Sequence, residues 1–234
     1  MTAAATAASQ SRQAGSKAAA VPWRQLVRVT VRQHRTALLW TGVVVVLMAV
    51  ALVATGIPLY HYAARLGPNW YGRTRGSVDY GGVLRVFEAI FQVAPLFAGM
   101  FLGAPLLPRE IDHGTAKLAW TQAASRTRWL LGQVLPFASL MVLAAVGLGA
   151  LLAWWHAPFP HFQSEVVGPW SVWSPWQFNL NPVLLAGWVV FAFTLGVFLG
   201  AAIRRTVPAM AATFGCVGAL FYAVSVSWRM HYLP

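Results

Sequence analysis

Long apolar runs separated by shorter polar segments make up most of this chain. A bilayer core of about 30 Å requires roughly 20 consecutive apolar residues in a helix, and five runs reach that length. They are Ala37–Leu59, Val86–Leu107, Trp129–Trp155, Pro182–Ile203 and Val207–Trp228. Glu88 is the only charged residue within these bounds. The pattern predicts an all-α, polytopic membrane helix bundle with five transmembrane helices, which together form a single transmembrane domain over residues 22–234.

The residues before the first run divide into a tail and a basic helix. Residues 1–21 are mainly Ala, Ser, Thr and Gln without an apolar core. They therefore do not form a secretory signal, and we predict a disordered cytoplasmic tail. A mitochondrial transit peptide is an alternative, because no acidic residue precedes Asp79.

The basic helix is predicted over Pro22–Arg35, where a proline suits the first helical turn. Four arginines recur there at i, i+4, i+8 and i+11, which is one helix face, whereas Trp23, Val27 and Thr30 lie largely away from it. This pattern predicts an amphipathic interfacial helix, with about 1 kcal/mol gained per arginine at an anionic inner leaflet. An ordinary solvated basic face is the alternative. The predicted anchoring residues are Arg24, Arg28, Arg32 and Arg35.

Composition and charge agree with a membrane location. The chain is 58% hydrophobic and 9% charged, whereas soluble domains carry about 25% charged residues. The net charge of +12 comes from basic residues between the apolar runs, so the expected partner is the lipid bilayer rather than nucleic acid. A cytoplasmic N-terminus places most of the 17 Lys and Arg residues inside. We therefore expect a multi-pass protein of the cell membrane.

Small residues within two of the spans predict close helix packing. G-x-x-x-G spacing lets helix backbones approach one another, and either intrachain packing or a dimer contact would use it. Prolines in the second and third spans predict bends. The glycines are Gly99, Gly103, Gly196 and Gly200, and the prolines are Pro95, Pro105 and Pro136.

The loop His156–Asn181 is rich in tryptophan, which predicts an aromatic belt at the headgroup level. Its tryptophans are Trp170, Trp173 and Trp176, with Trp154 and Trp155 just before it. The same loop contains His156, His161 and Glu165, but their spacing matches no standard ligand pattern, and we predict no metal site. A membrane-embedded enzyme using these residues, or His113 with Asp112, is an alternative function.

The most informative segment is a polar insert between the second and third spans, within Gly103–Gln133. It is too polar for hydrocarbon and too short for a domain, so it must lie at the inner surface. Gly114 and Thr115 can end one helical piece and begin the next, which predicts a short cytoplasmic helix. Its charged residues and its histidine are Arg109, Glu110, Asp112, His113, Lys117, Arg126 and Arg128.

This insert resembles the corresponding segment in the membrane subunits of type-2 ABC transporters, the drug and polysaccharide exporter class. That family carries R-E-x-x-x-G-T after the second span, then a Leu, and a Ser-Arg pair before the third. The matching residues are Arg109, Glu110, Gly114, Thr115, Leu118, Ser125 and Arg126. The segment GAPLLPREIDHGT is similar in particular to actinobacterial members.

The resemblance implies a permease subunit that works with a separate ABC ATPase. The insert would be the coupling helix, with Glu110 and Asp112 pairing with basic groups of the ATPase and Gly114 allowing close approach. The chain has no G-x-x-x-x-G-K-[ST] phosphate loop, so it is not itself expected to be an enzyme, and ATP and Mg are expected on the partner. A homodimer or paired permease would move a drug-like, lipid-like or other amphipathic substrate outward.

Two features of the chain depart from the family pattern. The family usually has six spans, whereas the fifth predicted span here is followed only by a few residues to Pro234. This leaves a truncated sequence, a member without the last span, or a nontransporting membrane anchor as alternatives. Gln133 stands where many relatives have a basic residue.

Overall fold

The computed structural model describes residues 23–67, 80–108, 126–159 and 178–224, and all regular structure in these ranges is helical. This confirms the predicted all-α bundle. We number six helices in chain order, the third of which continues as a π-helical segment, Ala98–Gly103. They are α1 Trp23–Gln33, α2 Arg35–Leu66, α3 Tyr80–Phe97, α4 Arg126–His156, α5 Pro182–Ile203 and α6 Thr206–Tyr222.

Four helices are long and apolar enough to cross a membrane. They are Arg35–Leu66, Tyr80–Pro108, Thr127–His156 and Pro182–Ile203. The predicted fifth span, Val207–Trp228, corresponds to α6, which is a shorter apolar helix of 17 residues. The end of that predicted span, up to Trp228, lies outside the described residues.

The helices α2 and α3 extend beyond the predicted spans, into residues that the sequence assigned to the loop between them. Ring contacts hold these extensions. Tyr62 and Tyr80 lie with their ring centroids 5.8 Å apart, and Tyr60 stacks on Trp154 at 5.0 Å. The Tyr60 hydroxyl also donates a hydrogen bond of 2.8 Å to the carbonyl of Trp154. Aromatic contacts therefore prolong both helices past the length that hydrocarbon alone requires.

Two apolar clusters form the interior of the bundle. The larger joins α2, α3, α4 and α5 and includes Leu52, Phe87, Leu152 and Leu185. The smaller lies where α3 ends and α4 begins, and consists of Leu106, Leu107, Phe137, Phe193 and Val197. The first half of α2 instead exposes large apolar side chains, such as Leu39 at 66% and Trp40 at 65%, as a lipid-facing helix does.

Trp155 is not part of an aromatic belt, and that prediction was wrong for this residue. It is fully buried, its Nε1 donates a hydrogen bond of 3.0 Å to Thr55 Oγ1, and its ring meets Phe87 edge-on at 5.6 Å. Gly56 makes room for this arrangement, because a Cβ there would lie 3.0 Å from the Trp155 ring and 2.5 Å from the Trp154 ring. Trp155 thus joins α2, α3 and α4. The belt tryptophans Trp170, Trp173 and Trp176 lie outside the described residues.

Capping residues define both ends of α5, and its last residue leads into a short turn to α6. At the start of α5, the Asn181 side chain accepts a hydrogen bond of 3.1 Å from the Val183 amide, as an N-cap residue does. At its end, Arg204 adopts a left-handed conformation with φ of 58°, which terminates the helix. Arg204 and Arg205 are both exposed and alone connect the two helices.

Candidate functional site

The predicted site is the polar insert, and the structure describes the two chain segments that hold it. The segment that continues α3 ends at Pro108, which is the leading edge of the insert. Helix α4 begins immediately after the insert at Arg126, which is its trailing edge. The backbone of Arg126 is described, but its side chain is not. The other predicted coupling residues lie outside the described residues; they are Arg109, Glu110, Asp112, Gly114, Thr115, Leu118 and Ser125.

The leading segment departs from α-helical geometry just before the insert. The Ala104 amide donates a hydrogen bond of 2.9 Å to the Gly99 carbonyl, five residues back, which is the π-helical pattern. Pro105 follows, and a proline has no N–H and crowds the carbonyl four residues earlier in an α-helix. The wider π turn relieves that crowding, so the bend predicted near Pro105 takes this form.

The two G-x-x-x-G pairs lie along one contact within the chain, between the end of the α3 segment and α5. A Cβ at Gly99 would lie 2.5 Å from the Ala192 carbonyl oxygen, and a Cβ at Gly103 would lie 2.5 Å from that of Phe193. From the other side, Cβ atoms at Gly196 and Gly200 would overlap the carbonyl oxygens of Gly99 and Ala104. The π segment and α5 are therefore in backbone contact along both pairs.

This contact anchors the leading edge of the insert. Ala104 is fully buried, Leu106 and Leu107 are 3% and 4% exposed, and both leucines pack in the smaller cluster with Phe193. The chain therefore leaves a buried, tightly packed position when it enters the insert, rather than a loosely held surface turn.

The trailing edge is held by α1, which packs along the start of α4. The Arg128 guanidinium lies 5.3 Å from the centre of the Trp23 ring, a cation–π distance. One turn further along α4, the Gly132 carbonyl accepts a hydrogen bond of 3.2 Å from Thr30 Oγ1. Thr30 is 2% exposed. The His34 ring then meets Phe137 edge-on at 5.3 Å.

A proline explains why the Gly132 carbonyl is open to Thr30. In an α-helix the carbonyl of residue 132 accepts from the amide of residue 136, but residue 136 is proline and has no N–H. Polar side chains commonly satisfy backbone groups that a proline frees in a membrane helix. The Thr30 hydroxyl, from a helix about 100 residues earlier in the chain, does so here.

The predicted anchoring arginines share one exposed side of the molecule. Arg24, Arg28 and Arg32 of α1 and Arg35 at the start of α2 are all exposed. Because Thr30 and His34 face α4, the arginines point away from the bundle. The sequence pattern did not single out the contact between Thr30 and Gly132; the signal that could have found it is Pro136, which frees a carbonyl in the third span.

Of the alternative catalytic and metal-binding residues, His156 is the one that lies within the described residues. His156 is buried at the end of α4, beside Trp155, at a ring distance of 6.1 Å. His113, Asp112, His161 and Glu165 lie outside the described residues. In the four described ranges, no group of three or more His, Cys, Asp or Glu residues could hold a metal ion.

The chain matches one family model over most of its length. The model, described as ABC-2 membrane transporter related, matches residues 41–229. The matched region begins within α2 and includes both edges of the insert. Searches of curated proteins and of solved structures gave no match.

Proposed function

This chain belongs to the ABC-2 membrane transporter related family, and we propose that it is the permease subunit of an ATP-driven exporter. In this proposal the insert is a coupling helix that binds a separate ABC ATPase. ATP and Mg bind that partner, and its conformational cycle drives the permease. The chain contributes the membrane pathway, as a homodimer or as one of two paired permeases.

The observation that carries this proposal is how the two edges of the insert are held. At one edge, the glycine contacts join the π segment of α3 to α5. At the other, α4 is tied to α1 through Thr30 and Gly132. A displacement of the insert would therefore move two packed helix pairs rather than two loose ends, which is what mechanical coupling to a partner requires.

The proposed cargo is an amphipathic molecule that is drug-like or lipid-like and moves outward. Supporting this class, the described bundle is mostly apolar, and Glu88 is its only acidic residue across the four described ranges. We also propose that the N-terminus and the insert face the cytoplasm of a cell-membrane protein, because that orientation places most basic residues inside.

The coupling assignment is tested by changing the insert without changing the bundle. Glu110→Gln removes a carboxylate proposed to pair with the ATPase, and Gly114→Ala blocks close approach. We expect both variants to reach the membrane, to lose copurification with the partner ABC ATPase, and to lose ATP-dependent export in vesicles. Glu165→Gln is the matched control, since it makes the same change in the loop predicted on the opposite side of the membrane. Unchanged association and unchanged export in both insert variants would overturn the assignment.

A further inference from the structure

We propose that the exposed side of α1 is a binding site for an anionic phospholipid. An open groove of about 710 Å³ runs along this side. Arg24, Arg28, Arg32 and Arg35 line it, and we call this surface the arginine face. The proposal concerns lipid binding alone and does not depend on the chain being a transporter.

The charge of the arginine face is not balanced by acidic groups in the described part of the chain. Across the four described ranges Glu88 is the only acidic residue. It lies in the first third of the continuous segment Tyr80–Pro108, on the side of Tyr80, which the alternation of the spans places toward the other side of the membrane. The arginine guanidinium presents a planar set of donors that matches phosphate oxygens. The face therefore favours a phosphate-bearing anion.

Apolar side chains in the same groove favour a lipid over a water-soluble anion. Trp23, Val27 and Val31 line it together with the arginines, and they are 43%, 38% and 43% exposed. The sequence pattern placed Trp23 and Val27 largely away from the arginines, whereas the groove is wide enough to include both. A soluble phosphate would gain nothing from these surfaces. An amphiphile can place its phosphate on the guanidinium groups and its upper acyl carbons against the valines.

The groove also leads directly onto the hydrocarbon-facing surface of the first span. Arg35 is the first residue of α2, and one turn later Leu39 and Trp40 are exposed by 66% and 65%. A diacyl lipid whose head is bound at Arg35 can therefore lay its chains along α2 without leaving the bilayer. The contacts of Thr30 and His34 with α4 keep the arginine face turned outward, so the bundle itself does not cover it.

The test measures lipid retention by the purified full-length protein. The protein is prepared in detergent, supplied with phosphatidylglycerol or phosphatidylcholine of identical acyl chains, and examined by native mass spectrometry. We expect phosphatidylglycerol to be retained in preference to phosphatidylcholine. Arg28→Gln together with Arg32→Gln should weaken phosphatidylglycerol retention about 30-fold, from the usual gain per basic residue at an anionic surface. Equal retention of the two lipids by the unchanged protein would overturn the proposal.

A matched control separates a defined site from general charge attraction. Arg204→Gln together with Arg205→Gln also removes two exposed positive charges. Four alternating spans place that turn on the same side of the membrane as α1. We expect this variant to retain phosphatidylglycerol within about twofold of the unchanged protein, as expected for exposed charges away from the ligand. A loss as large as that of the α1 variant would refute a specific site.

A second variant separates a lipid from a soluble anion. Val27→Ser together with Val31→Ser keeps every charge and removes the apolar wall. We expect phosphatidylglycerol retention to fall about tenfold, from the apolar area lost, and inorganic phosphate at millimolar concentration not to displace the lipid. Unchanged retention with ready displacement by phosphate would show a site for soluble anions and would overturn the lipid assignment. Helical circular dichroism of each variant verifies that the bundle is intact.

Discussion

Replacing Gly196 with alanine should separate the two helices that hold the leading edge of the insert. The added Cβ would overlap the Gly99 carbonyl oxygen and lie 2.9 Å from the Ala104 amide nitrogen. Both obstacles are backbone atoms, so no side chain can rotate away. Overpacking of this kind costs about 1–3 kcal/mol. The added methyl offers little compensation, because lipid is as apolar as the helix interface.

The same helix supplies a matched control at Gly187. A Cβ at that position meets nothing within 4 Å, although Gly187→Ala adds the same atoms to α5. Alanine is also the better helix former by about 1 kcal/mol. The control should therefore be neutral or slightly stabilising, and the comparison isolates the backbone contact from any general effect of alanine.

The two variants are compared by heating the detergent-purified proteins and measuring the fraction that still elutes as a single species on size exclusion. A loss of about 1–3 kcal/mol corresponds to a fall of about 2–12 °C in the midpoint for a chain of this size. We expect that fall for Gly196→Ala and no fall for Gly187→Ala. Equal midpoints would refute the conclusion that the π segment and α5 are in backbone contact.

Two further variants address the other packing contacts. Thr30→Val keeps the shape of the side chain but leaves the Gly132 carbonyl without the hydroxyl that satisfies it; it should cost about 1–3 kcal/mol. Thr41→Val should be nearly neutral, because the Thr41 hydroxyl bonds only within its own helix, and equal thermal midpoints for the two would contradict this account. Trp155→Phe removes a hydrogen bond between helices and part of a fully buried ring, and should cost about 2–4 kcal/mol. Trp40→Phe, at a side chain that is 65% exposed, should leave the melting midpoint nearly unchanged, and a comparable fall would refute the assigned role of Trp155.

The extent of apolar runs predicted the helices well, because hydrocarbon demands a minimum length and excludes charge. It could not predict which side of each helix faces protein, since lipid and protein interior are equally apolar. Trp155 shows the consequence, because its place at a span end suggested a headgroup location. Instead its ring packs in the bundle interior beside Gly56, and its indole N–H donates to the Thr55 hydroxyl.

For the candidate site, local signals were informative but incomplete. Spacing identified the four glycines as packing residues without showing that the two pairs face each other. Pro105 predicted a bend, but whether the backbone forms a kink or a π turn depends on the neighbouring helix that packs against it, which here is α5. The insert carries the most specific sequence signal, and its coupling role stays a prediction because residues 109–125 lie outside the described structure.

The contact between Thr30 and Gly132 also bears on the order of events during synthesis. The two residues are 102 positions apart, and a ribosome adds about 5–20 residues per second. The first helix therefore emerges roughly 5–20 seconds before the carbonyl it will bind. During that interval its arginines can keep it at the membrane surface, close to where the third span will later insert. The same helix would thus lie at the membrane surface first, and would hold the start of α4 in place only after that helix has inserted.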